Sequence, residues 1–347
     1  MRGASVLVVG GAGFIGSNLV RELLVQGVSR VTIVDNFLSS DPSNVPLDAR
    51  VKLVFGSITS NAILSSLPDD LQFVFHLSCF HGNQSSIADP MADHENNTLT
   101  SLKLFEKLKD MRSLSKVVYA AAACAVAEKT YDDPSPTTED QPVSLFHDSP
   151  YSISKLIGEL YGNYYFQRYK LPFVKARFSN CFGPGEILGA GQWRGTVHTV
   201  WRNVIPTFIW KSLHGEALPL DNGGNASRDF IYVRDMALGL IACAERGVPG
   251  EAYNLATGRE TTILSLAESI NAATGNKTPL DLRPARDWDR SGKRFASTEK
   301  SERDLGFITT VEIEEGIRET VAWTQANSDL IQTCIRRHDK MMIQAAD

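Results

Sequence analysis

Glycine stands at positions 10, 13 and 16, directly after the apolar run Val6–Val9 and at the opening of a helical pattern. This spacing constrains the fold more than any other feature of the chain. A chain that leaves a strand, turns tightly and enters a helix with no side chains on the turn can bring its backbone close to a pyrophosphate. It also aims the positive end of a helix at that negative charge. A bare glycine triplet is a weak signal, but here Asp35 ends the next apolar run, nineteen residues after Gly16. A carboxylate at that place accepts hydrogen bonds from both hydroxyls of an adenosine ribose and repels a 2′-phosphate, which favours NAD over NADP as cofactor. Phe14, Ile15 and Asn36 are expected to join Gly10, Gly13, Gly16 and Asp35 at that cofactor, with Ser57 and Ile58 after the third apolar run and Leu77 after the fourth.

The first half of the chain alternates short apolar runs with helical patterns. Strand-like runs fall at Ser5–Val9, Arg30–Val34, Val51–Phe55, Gln72–His76, Lys116–Ala120 and Phe173–Arg177. Helix-like stretches fall at Ser17–Gln26, Ala62–Leu67, Met91–Lys109 and Tyr151–Tyr169. Such alternation predicts an α/β fold, a Rossmann-type doubly wound parallel sheet whose strands are apolar on both faces because helices cover both. The texture changes after Asn180, which predicts a smaller C-terminal substrate-binding lobe. Residues 1–177 and 228–246 are assigned to the sheet domain, and 180–227 and 247–347 to the lobe. Val197–Leu213 reads as one long apolar helix, and Val311–Met342 as a near-helical stretch that packs on the body or on a partner subunit.

Composition bounds the partners. A chain of 347 residues with 43% hydrophobic side chains can bury a sizeable core, and a net charge of −5 suits neither nucleic acid nor an anionic membrane surface. The longest uninterrupted apolar run, Val117–Ala127, is eleven residues, far below the ~20 needed to span a bilayer. Five scattered cysteines without a CxxC pair predict no disulfide framework and a reducing, cytoplasmic setting. No histidine cluster or carboxylate pair suggests a metal site. Between Arg283 and Arg303, seven basic residues oppose four acids, a local excess that suggests a bound anion or else a solvated charged face.

Chemistry is suggested by Tyr151-Ser-Ile-Ser-Lys155. On a helix the phenol and the ammonium lie one turn apart on the same side. The cation favours the phenolate, so the tyrosine can act as a general base toward a hydroxyl near neutral pH.

Together these motifs resemble the extended short-chain dehydrogenase/reductase family, in particular its nucleotide-sugar epimerases and dehydratases. The resemblance spans about Ser5 to Trp323. It includes His76-Leu-Ser, similar to the family's HLA, Arg177-Phe-Ser-Asn-Cys-Phe-Gly-Pro-Gly185, similar to RxxNxxGPG, and Arg228-Asp-Phe-Ile-Tyr-Val-Arg-Asp235, similar to RDFIYVxD. It implies NAD as cofactor and a nucleotide-diphosphate sugar as substrate. Tyr151 and Lys155 would be catalytic, Asn180 would touch the nucleotide-sugar, and Arg228 and Arg294 would meet its diphosphate, a match of guanidinium forks to phosphate oxygens. Arg228 has a plainer alternative, a structural pair with Asp229 or Asp235. His81 and Ser86, in the stretch after the fourth strand, are expected at the sugar pocket. His76 is expected to end its strand. The resemblance also implies a homodimer joined through the helices Met91–Lys109 and Tyr151–Tyr169.

The chain departs from the family after the fifth strand. Where the family carries a serine or threonine that hydrogen-bonds the reacting sugar oxygen, this chain reads Tyr119-Ala-Ala-Ala-Ala-Cys124, and the hydroxyl position falls on Ala122. A 4,6-dehydratase would need carboxylates in this stretch, and none is present between Ala122 and Cys124. A UDP-galactose 4-epimerase-like enzyme would need water, Ser149 or Cys124 in place of the hydroxyl. In GDP-mannose 3,5-epimerases a cysteine at the register of Cys124 is an acid/base, and its partner lysine would correspond to Arg194 in Gln192-Trp-Arg-Gly195. A thiol suits that role, but a free cysteine is also commonly a small buried hydrophobe. The expected activity is therefore NAD-dependent epimerisation through a transient ketosugar, either by hydride return at C4 or by inversion at C3 or C5 assisted by Cys124. A nucleotide-sugar dehydratase or reductase, or a non-catalytic NAD-binding protein, are the alternatives.

Overall fold

Val6 and Val8 pack to one side of strand β1 (Ser5–Val9), Leu7 and Val9 to the other. Burial on both sides forces a sheet with helices on both faces, and the computed structural model shows that arrangement. It describes residues 1–123, 130, 132–285 and 292–345. Strands β2 (Arg30–Asp35), β3 (Val51–Phe55), β4 (Phe73–His76), β5 (Lys116–Ala122) and β6 (Phe173–Phe178) join β1 and the later strand Ala252–Leu255. Among the described residues these make a seven-stranded parallel sheet, ordered Ala252–Leu255, β6, β5, β4, β1, β2, β3. Chain order reverses between β1 and β4, which opens a crevice at their carboxyl ends.

One face of the sheet is covered by helices Phe14–Val25 and Val233–Arg246, through Leu19, Leu23, Leu240 and Ile241. The other carries Thr100–Leu108 and the long helix Pro150–Tyr169, through Leu104, Phe105 and Tyr165. The expected helix Met91–Lys109 is one helical stretch with a π turn, His94–Leu99, between Pro90–Asp93 and Thr100–Leu108.

Three expectations need correction. Ala252–Leu255 is the edge strand of the central sheet, and Leu305 and Phe307 belong to its core, so the lobe does not own everything after residue 247. The small pairing of Asn180–Phe182 with Phe230–Tyr232 stands outside the central sheet, and Phe182, Phe230 and Tyr232 pack with Phe208 and Leu266 in the lobe's own core. Val197–Leu213 is not one helix: a single turn, Val197–Thr199, is followed by a helix that starts only at Val204. Pro206 explains the break, because its ring would clash with a carbonyl four residues earlier in any helix running through. The C-terminal stretch is three helices, and Ile331, Cys334 and Ile335 pack it against Ile187, Leu188 and Trp210 of the body.

Candidate active site

The crevice at the carboxyl ends of β1 and β4 continues into a cleft of about 470 Å³ between the sheet and the lobe. Its cofactor end is built by the glycine turn. Gly10 holds φ +83°, and a Cβ there would lie 2.6 Å from the Ser78 nitrogen. A Cβ on Gly16 would meet the Gly10 carbonyl at 2.2 Å. The turn is therefore a cradle that any side chain would fill, with helix Phe14–Val25 starting directly behind it, and it fits a dinucleotide pyrophosphate. Asp35 ends β2 with one carboxylate oxygen accepting from the Ala12 amide at 2.9 Å. The other accepts from the Phe37 amide and the Ser40 hydroxyl, each at 2.9 Å. Burial raises the Asp35 pKa above the ordinary carboxylate range, and these hydrogen bonds oppose that rise. The cleft brings together Gly10, Gly13, Phe14, Ile15, Gly16, Asp35, Asn36, Ser57, Ile58 and Leu77.

The chemical pair comes from the long helix. Ser149 caps it, its hydroxyl accepting from the Ser152 amide at 3.3 Å, and Pro150 opens it. Ser149 is thereby committed to the cap and to Asn83, and does not stand in for the hydroxyl absent at Ala122. The Tyr151 amide donates to the Ser86 hydroxyl at 3.1 Å. One turn on, Lys155 is 4% exposed, and its ammonium donates to the Ala120 carbonyl of β5 at 2.9 Å. The ammonium lies 5.8 Å from the centre of the Tyr151 ring. Both residues line the cleft, as does Ala122. Cys124 lies outside the described residues, as do Arg286 and Arg290 of the basic segment.

Of the expected sugar-pocket residues, His81, Asn180 and Arg294 line the cleft. Ser86, Arg194 and Arg228 are not among the residues lining it, and each makes contacts of its own. Ser86 is buried beneath Tyr151 and also donates to the Asn83 carbonyl at 2.7 Å. Arg194 is buried behind His81, donating to the His81 carbonyl at 2.6 Å, and burial lowers its pKa to about 9. Arg228 donates to the carbonyls of Ser227 and Gly292, both at 2.6 Å. Both carboxylates offered as its structural partner are engaged elsewhere: Asp229 accepts from Thr257 and Gly258, and Asp235 from Thr310 and Val311. In the basic segment, Arg283, Lys300 and Arg303 pair with Asp281, Glu251 and Asp304, while Arg294 faces the cleft. His76 ends β4 as expected, buried against Ser101 at 2.9 Å.

Reading the sequence missed Glu186, Arg202 and Asn203, which line the cleft from the lobe. Asn203 precedes helix Val204–Leu213 in extended conformation and donates to the Glu186 carboxylate. Burial raises the Glu186 pKa to about 7. The signal was present: an acid directly after Gly185 in an apolar stretch, and an Arg-Asn pair shortly before Pro206.

Cradle and pair open on the same cleft, and that combination defines the class, a nucleotide-cofactor protein of short-chain dehydrogenase/reductase type. More narrowly, the chain belongs to the NAD dependent epimerase/dehydratase family, whose sequence profile matches residues 6–256. It is 29% identical to UDP-glucose 4-epimerase 3 of Oryza sativa subsp. japonica, covering 94% of this chain and 91% of that one. The crystal structure of the Bordetella bronchiseptica enzyme WbmF in complex with NAD+ and UDP is 55% identical in sequence, with a TM-score of 0.90 over 99% of this chain and 98% of that one. A UDP-N-acetylglucosamine 4-epimerase from Methanobrevibacter ruminantium M1 is 29% identical, with a TM-score of 0.82 over 94% of this chain and 100% of that one.

Proposed function

We propose that this protein is an NAD-dependent epimerase of nucleotide-diphosphate sugars, that its substrates are UDP-sugars, and that it inverts C4 by removing and returning hydride. The observation that carries this reading is the Tyr151–Lys155 pair facing a cleft it shares with the glycine cradle. The 4-epimerase relatives and the UDP-bound WbmF structure support the choice of sugar class. The residues suited to hold NAD are Gly10, Gly13, Phe14, Ile15, Gly16, Asp35, Asn36, Ser57, Ile58 and Leu77; bound there, NAD would supply the hydride acceptor and donor for C4. Tyr151 takes the proton of the C4 hydroxyl and later returns it. Lys155, anchored to Ala120, holds positive charge beside the phenol and favours its ionised form. Asn180 and Arg294 meet the nucleotide-sugar and its diphosphate. The same reading includes a homodimer through helices Pro90–Leu108 and Pro150–Tyr169.

The test is NMR of the purified protein with a panel of UDP-sugars in D₂O. Formation of the C4 epimer without deuterium at carbon is the expected result. Deuterium at C3 or C5 overturns C4 hydride return and moves Cys124 to the centre of the mechanism. Tyr151→Phe should lower turnover ~10²-fold or more while leaving NAD binding intact.

A further inference from the structure

At the sugar end of the cleft, Ala122 offers no hydroxyl, yet a fixed polar chain approaches Tyr151 from the other side. We propose that His81 supplies the sugar with a hydrogen-bond acceptor, Nδ1, and that Glu186, acting through Asn203, holds the imidazole in the tautomer that leaves Nδ1 bare. This inference rests on the epimerase reading above. Asn203 spends its amide Nδ2 on the Glu186 carboxylate, so its Oδ1 is the atom that faces His81. An amide oxygen only accepts, so the His81 Nε2, 3.3 Å away, carries the proton. Nδ1 is then a lone pair, and it makes no hydrogen bond with the described residues.

The ring is fixed from three sides. Arg194 holds its backbone carbonyl, Asn203 holds Nε2, and the imidazole stands edge-on to the Tyr151 ring with centres 5.9 Å apart at 84°. Burial and the Arg194 charge lower the His81 pKa to about 4, so the ring is a neutral acceptor at the working pH of Tyr151 chemistry. Glu186 is 7% exposed, and its Oε2 is buried without a partner among the described residues. The Glu186 oxygen that does have a partner accepts from Asn203, and the Arg202 charge lies within its electrostatic reach. In the reaction no proton changes owner at His81. It accepts a hydrogen bond from a sugar hydroxyl and turns the ring so that the C4 hydroxyl meets Tyr151. Glu186 is a positioning residue, acting through Asn203 and His81.

The experiment compares His81→Phe, His81→Gln, Glu186→Leu and Glu186→Gln with the wild type, each purified with NAD bound, on UDP-glucose, UDP-galactose and their N-acetyl counterparts. Phenylalanine keeps the edge-on ring contact and removes the acceptor, so kcat/KM should fall roughly tenfold or more with NAD content unchanged. His81→Gln restores an acceptor and should recover part of that loss. Glu186→Gln still accepts from Asn203 and should keep near-normal kcat, whereas Glu186→Leu should lose kcat in the same sense as His81→Phe. Wild-type activity in His81→Phe overturns the proposal, and equal losses in both Glu186 variants overturn the positioning role. Should His81→Phe lose its fold or its NAD, background activity in a folded His81→Gln overturns the proposal instead. If the wild type turns over none of the UDP-sugars, the epimerase reading fails and this inference falls with it. If the wild type is active and His81→Phe matches it, only this inference fails.

Discussion

Tyr151 and Lys155 lie one turn apart, but each is located by a different part of the molecule: the Tyr151 amide by Ser86 after β4, the Lys155 ammonium by Ala120 of β5. Lys155→Met should therefore damage both turnover and the docking of the helix on the strand, and enzyme assays with thermal unfolding of the same variant will separate the two effects. Glu186 gives a sharper residue-scale prediction. Its folded pKa is about 7 against an ordinary 4.5, so between those values the native protein holds a proton that the unfolded chain has released. Wild-type stability must then fall as pH rises through that window. Glu186→Gln removes this contribution, so its Tm relative to wild type should rise between pH 5 and pH 8. His76 and His81, whose lowered pKa values act in the opposite sense, are common to both proteins and cancel.

The long helix meets the sheet through Tyr165 and, where it comes closest, through glycines. A Cβ on Gly162 would lie 2.0 Å from the Phe173 ring, which is fully buried and has nowhere to move. Gly162→Ala should cost ~1–3 kcal/mol in urea unfolding, by overpacking. On the same helix Glu159 takes both forks of Arg177 from β6, at 3.0 and 2.9 Å, in a buried pair. Arg177→Met leaves a buried carboxylate alone and should cost ~3–5 kcal/mol by the same measurement. The strands were legible from sequence because their short runs are apolar on both faces. The π turn at His94–Leu99 was not, since a one-residue change of hydrogen-bond step leaves no mark on residue type. The break before Val204 was written in Pro206 but masked by an apolar run. At the site, Gly10 to Gly16, Asp35, Tyr151 and Lys155 were legible because backbone closeness and helical spacing restrict them to few residue types. Glu186 and Asn203 each left a local mark, but their partnership spans two separate loops and could not be read from either.

At the scale of the whole molecule, Ile153, Leu160 and Tyr164 remain 45%, 58% and 52% exposed on the long helix, with Ile87 and Met91 exposed nearby. The proposed homodimer would cover them. Leu160→Glu should then shift the molecular mass in size-exclusion chromatography with light scattering from dimer to monomer. The hydrogen bond from Tyr151 to Ser86 reaches across 65 positions of sequence. As the chain leaves a ribosome, the glycine cradle and β1 to β4 emerge before the helix that bears the phenol exists. The hydrogen bond from the Ala12 amide to Asp35 closes within the first two strands, whereas the core beneath the cradle is completed only by Leu240 and Ile241 of helix Val233–Arg246. Cradle and phenol are thus both properties of the finished chain, so a truncation that removes helix Val233–Arg246 should lose dinucleotide binding together with turnover.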